Sequence, residues 1–354
     1  MTWAWIVAIL IAVPTAFVTV TPTGRYLGRA AWEESKILSR RRPIEALVTD
    51  STVDPVTRGK LALVLEARRF AVDSLGLDAR QSFTQYSRLD RDTLVLVLSA
   101  ARRDRLEPVT WWFPVVGRVP YKGYFDFAEG VGARDHLERR GYDADLRPAG
   151  AFSTLGWFND PLLSTTLADD SLGLAETVIH ELLHNTFYGG GQAVFNESFA
   201  NFVGHRGATA FFRSRGDTAA AQRIDERWAD QVALGAFWTG LYSALDSAFR
   251  VHDTDSLARL VAREALFVSA RARLVDSIGP TLRAMPAGYA ARVRIDNGAV
   301  MARRIYLTEL ALFDQVLVRE GGSVRTAVVR IAAAARGRAG DPFGAVRDDA
   351  AGRR

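Results

Sequence analysis

Cysteine is absent from all 354 residues. That rules out disulfide staples and thiolate metal ligands, and it leaves the choice of compartment open, since an exported protein need not carry disulfides. With 48% hydrophobic residues the chain can still bury a full core, as one large domain or two closely packed parts. Lysine is almost missing too, at positions Lys36, Lys60 and Lys122 only. The remaining positive charge is arginine, interleaved with acids, so the net charge of +5 marks no basic face. No aromatic-basic platform or phosphate loop accompanies it, which argues against a nucleic-acid partner. Histidine is scarce as well: His136, His180, His184, His205 and His252. There is no internal repeat.

Two of those five histidines stand four apart, in His180-Glu181-Leu182-Leu183-His184. Positions four apart lie one turn apart on the same helix face, so both imidazoles can reach one metal ion. Glu181 falls beside them, where it can take a proton from a metal-activated water. The surroundings predict a helix. Asp169, Asp170 and Ser171 offer capping oxygens, and Leu172, Ala175, Ile179 and Leu182 make an apolar stripe. Thr177, His180, His184 and Tyr188 make a polar stripe, and Gly189-Gly190-Gly191 is expected to stop the helix.

A catalytic zinc usually has three protein ligands. Without cysteine the third must be His, Asp or Glu. Glu197 is the nearest strong candidate, on a second helix that Asn196 can cap, with His205 further along that helix as the alternative. Zn2+ is therefore the expected cofactor, although two His and a carboxylate also hold other divalent ions. Tyr188, His205 and Arg206 are candidates to stabilise negative charge on a substrate carbonyl oxygen. His136 and His252 read as helix-surface and helix-end residues rather than ligands.

The His180–His184 motif followed by Phe195-Asn196-Glu197-Ser198-Phe199-Ala200 resembles a bacterial family of predicted aminopeptidases, gluzincin-like metallopeptidases with two His and one Glu as zinc ligands. Segments 39–45, 112–115, 121–125 and 153–161 are similar to the same family. The resemblance spans about residue 25 to the C-terminal helices. It implies a zinc-dependent peptidase acting on a peptide substrate, with His180, His184 and Glu197 as ligands and Glu181 as general base. It also implies an exported enzyme. Members often carry a cysteine for lipid attachment and a pair around the Trp-Phe-Pro segment; this chain has neither. A zinc amidase, or an inactive membrane-associated metal-binding protein, is the alternative function.

Residues 3–20 are almost wholly apolar and uncharged, which predicts an uncleaved N-terminal membrane helix within residues 1–22. Arg25, Arg29, Lys36 and Arg40–Arg42 follow it, and the positive-inside rule would keep the rest cytoplasmic. The resemblance favours the opposite face, an inner-membrane anchor with an extracytoplasmic catalytic domain. The expected fold is α+β and mainly helical: a zincin-like metallopeptidase domain over 23–336, with a small sheet and a C-terminal helical bundle. Its parts are helices and sheet over 23–167, metal-site helices over 168–215 and a helical part over 216–336. Residues 337–354 read as a loose tail.

Helices are predicted over 24–41, with Leu27, Ala31 and Leu38 on one side, and over 55–75, 127–140, 218–249, 254–275 and 299–319. Strands are expected over 93–98, within 109–125 and over 147–157. Residues 153–157 are a candidate sheet edge for an extended peptide.

Overall fold

The computed structural model describes residues 19–113, 117–149 and 161–353, with Trp3, Trp5 and Ala16 besides. Most of the apolar segment 3–20 lies outside the described residues, as does the candidate edge 153–157. Among the described residues no helix is long and apolar enough to cross a membrane. The expected membrane helix therefore has no structural support.

The longer helices are α1 (Pro22–Ser39), α2 (Pro55–Asp73), α3 (Phe127–Arg139), α4 (Ser171–Thr186), α5 (Ala193–Ser214) and α6 (Thr218–Val251). They continue with α7 (Ser256–Arg273), α8 (Asn297–Leu307), α9 (Leu310–Arg319), α10 (Val324–Gly337) and α11 (Pro342–Ala350). Most start where the sequence offers a cap: Thr21, Asp54, Asp126, Asp170, Asp217 and Asp255 each accept a backbone N–H of the first turn. The buried face of α1 differs from expectation. It carries Ile37 and Glu33, while Ala31 is exposed.

Among the described residues, strand structure is spread over three small sheets rather than one. The main one is antiparallel: β3 (Val95–Arg102) pairs with β6 (Lys122–Tyr124) on one side and β7 (Tyr142–Ala149) on the other. Its register sets Leu98 opposite Leu146 and Val97 opposite Arg147. β4 (Trp111–Phe113) pairs antiparallel with β5 (Gly117–Val119). A third sheet places β2 (Gln85–Ser87) between β1 (Arg42–Pro43) and β8 (Leu162–Leu163).

The core centres on α4 and α5. The predicted stripe Leu172, Ala175, Ile179 and Leu182 is buried there, with Phe195, Phe199, Phe202 and Phe313. Two glycines of α5 allow the helices to approach closely. A Cβ on Gly204 would sit 2.9 Å from the Glu176 carbonyl oxygen, and one on Gly207 would sit 2.8 Å from Ile179 Cγ2. A second cluster, including Leu234, Phe237, Trp238 and Leu245, fills the space between α6, α7 and α8.

Two C-terminal expectations are corrected. The single helix predicted over 299–319 is two, α8 and α9, broken at Thr308 and at Glu309, whose φ is +52°. The break lets the Thr308 N–H donate to Ser198 Oγ of α5. The loose tail is instead largely helix α11: Val346 is fully buried, and Phe343 stacks its edge on Phe195 at 5.0 Å.

Candidate metal centre

His180 and His184 project from α4 on one face, with ring centroids 5.1 Å apart. α4 does not run to the glycines. It ends at Thr186, where Phe187 turns extended and buries its ring 5.8 Å from both Phe195 and Phe199. Tyr188 therefore leaves the polar stripe; it is 56% exposed, with its ring 6.2 Å from that of His184. Gly189–Gly191 form the turn between the helices. Asn196 is not the cap of α5, which begins at Ala193. Its amide instead clamps the turn: Gly189 N–H donates to Asn196 Oδ1 at 2.9 Å and Asn196 Nδ2 donates to Gly189 O at 2.8 Å. That pair of hydrogen bonds fixes the position from which the next residue, Glu197, faces α4.

Glu197 reaches both histidines. Its Oε2 lies 3.4 Å from His180 Nε2 and its Oε1 lies 3.7 Å from His184 Nε2. One ligand atom from each of the three residues lies within 4.8 Å of the others. Zinc bonded at about 2.0–2.1 Å in a tetrahedron separates its ligand atoms by roughly 3.3–3.4 Å. The donor set and its spacing thus fit a divalent ion, and the group can hold one.

The three residues are electrostatically coupled. Burial holds His184 down at about pH 4, helped by the neighbouring His180, so its imidazole is neutral as ligation requires. Burial pulls His180 the same way, yet the carboxylates of Glu197 and Glu181 outweigh it and raise its pKa. Burial would raise Glu197, but His180, His184 and Arg147 keep it below its ordinary value.

The histidine of α5 is not part of this group. His205 is buried, with Nδ1 3.0 Å from the Asn201 carbonyl oxygen and Nε2 3.3 Å from Gln231 Nε2. Burial lowers its pKa to about 4. Arg206 is also turned away, bound to Asp314 at 2.8 Å and Asp225 at 3.0 Å. Neither His205 nor Arg206 is free to meet a substrate carbonyl at the metal group.

Three residues that spacing did not mark surround Glu197. Tyr306 of α8 has its hydroxyl pushed up to about 12 by burial and by the charge of Glu197, with a smaller influence from Glu181. Arg147 of β7 lies over its ring at 5.4 Å. Tyr121 is raised by burial and by Glu197 as well. Asn201 ties α8 in place by donating to the Tyr306 carbonyl at 2.9 Å. Tyr306 lies within the helix predicted over 299–319, and nothing near position 180 announces it.

A cavity of about 270 Å³ opens beside the group, lined by His180 and Glu181 together with Glu176, Thr177, Asn201, Gly204 and His205. Burial raises Glu176 to about 7 despite the nearby Arg227.

No curated protein and no solved structure matches the chain. A sequence model of the family described as "Putative aminopeptidase" matches residues 25–339. That match covers most of the chain and carries the metal-group helices within it, and its description points to a peptidase, hence a hydrolase. The chain belongs to this putative aminopeptidase family.

Proposed function

We propose that the protein is a zinc-dependent aminopeptidase whose zinc is held by His180, His184 and Glu197. The observation that carries this reading is the meeting of those three donor atoms within 4.8 Å, beside Glu181, in a chain of the aminopeptidase family. A zinc ion held there supplies Lewis acidity and brings the pKa of water towards neutrality.

The chain's own residues do the rest. Glu181 lines the same cavity as His180 and takes a proton from the attacking water, then passes it to the leaving amine. Tyr306 keeps its proton at neutral pH, and its hydroxyl donates to the carbonyl oxygen as negative charge develops. Arg147, stacked on the Tyr306 ring, holds that ring in place.

Digestion of a peptide library by the zinc-loaded protein tests this. Cleavage is expected to start at peptide N-termini. Glu181→Gln should abolish it while zinc stays bound, and Tyr306→Phe should lower kcat about 10²-fold. A wild type that cleaves only non-peptide amides, or Glu181→Gln with full activity, would overturn the reading.

A further inference from the structure

Glu176 sits on α4 one turn before His180, with its side chain 14% exposed. Its Oε2 faces Arg227 Nη1 at 3.6 Å and His205 Nε2 at 3.8 Å. Its Oε1 is buried and has no hydrogen-bond partner among the described residues. A buried carboxylate oxygen left unpaired is costly, and natural folds retain such a group where something else completes it.

The cavity shows what that can be. Glu176 lines it together with His180 and Glu181, so the cavity adjoins the metal group at His180. The other polar groups there include the Thr177 hydroxyl, which can accept a hydrogen bond. His205 cannot serve as a second metal ligand, because both ring nitrogens already face partners, Asn201 and Gln231. An ammonium group brings three donors and one positive charge. It suits a single unpaired carboxylate oxygen with a hydroxyl beside it.

We propose that Glu176 binds an ammonium group of the substrate in the cavity next to His180 and so sets the enzyme's specificity. This rests on the peptidase reading for the identity of the ligand. Two sources share the chemistry: the free α-amine of a peptide, and the side chain of a basic residue on the acyl side of the cleaved bond. Helical rise puts the Glu176 backbone about 6 Å from that of His180. That is close enough for an amine carried by the residue being cleaved.

The test measures, by calorimetry, binding of four hydroxamates to the zinc-loaded wild type and to Glu176→Gln. They are norleucine hydroxamate, lysine hydroxamate and the N-acetyl form of each. The wild type is expected to lose about tenfold or more in affinity when the recognised ammonium is removed. A loss on acetylation identifies the α-amine; a loss from lysine to norleucine identifies the side chain. Glu176→Gln should erase that ratio. Equal weakening of all four by the substitution, no preference in the wild type, or no binding of any of the four overturns the proposal. A wild type that shows the preference but cleaves no peptide leaves the ammonium site standing and removes the peptidase reading. Peptide cleavage without the preference does the reverse.

Discussion

At the residue scale, the cost of burying Glu176 is open to measurement apart from any ligand. Its folded pKa of about 7 stands above the ordinary 4.5, so the folded chain holds a proton between those values that the unfolded chain has released. Stability from this group is therefore intact below about pH 4.5 and is lost as pH rises through 7. His205 acts in the opposite sense. Its folded pKa of about 4 lies below the ordinary 6.5, so it costs stability as pH falls through that interval. Comparing wild type with Glu176→Gln isolates the carboxylate together with its effect on His205, whose Nε2 lies 3.8 Å away. Denaturant melts at pH 4.5 and pH 8 should show the wild type losing up to about 3 kcal/mol relative to the variant. Parallel pH profiles for the two proteins would contradict that account.

Much of the metal group was legible in the sequence because its chemistry is local. His180, Glu181 and His184 share one helix turn, and Glu197 follows after a short glycine turn. Glu197 is already preferred to His205 on sequence grounds; the structure adds that Glu197 lies beside both histidines while His205 faces Asn201 and Gln231. Tyr306 and Arg147 were illegible for a different reason. They come from α8 and β7, and no periodicity links residues that meet only through tertiary packing.

At the scale of elements, the approach of α4 to α5 decides whether His180, His184 and Glu197 can meet. Gly204 is the residue that permits it. An alanine there gains helix propensity, normally worth about 1 kcal/mol. Its Cβ would, however, press on the Glu176 carbonyl at 2.9 Å and on His180 Cβ at 3.1 Å. Backbone oxygen cannot give way as a flexible side chain can, so overpacking wins. Gly204→Ala should cost about 1–3 kcal/mol and weaken metal binding. Gly59 on α2 is the control, since nothing lies within 4 Å of its added Cβ. Gly59→Ala should stabilise by about 0.5–1 kcal/mol. Chemical denaturation of both variants checks the pair, and a stabilised Gly204→Ala would show that the helices have slack.

Element types were read well where caps and apolar spacing agreed, as in α2, α3 and α4. Boundaries shifted where a tertiary contact overrode local signals. Phe187 leaves α4 early because its ring fits the Phe195–Phe199 cluster. Asn196 spends its amide on the Gly189 turn instead of a helix end. The strand expected over 93–98 runs instead from Val95 to Arg102, because β7 pairs along that whole length.

At the scale of the whole molecule, the C-terminal helices close over the metal-site helices rather than trailing from them. Phe313 of α9 stacks on Phe199 at 5.6 Å, and Val346 of α11 is buried. α11 was read as a loose tail because the arginine, alanine and glycine content around it hides one buried apolar stripe. Distant parts of the chain, β7 and α8, bring Arg147 and Tyr306 to the group of His180, His184 and Glu197, which lies between them in sequence.

The claim on which everything turns is that His180, His184 and Glu197 form one metal centre. Zinc content of the purified protein by elemental analysis measures it most directly. One zinc per wild-type chain, its loss in Glu197→Ala and its retention in His205→Ala are the predicted results. A wild type that binds no metal, or a zinc ion that survives Glu197→Ala and leaves with His205→Ala, would contradict it.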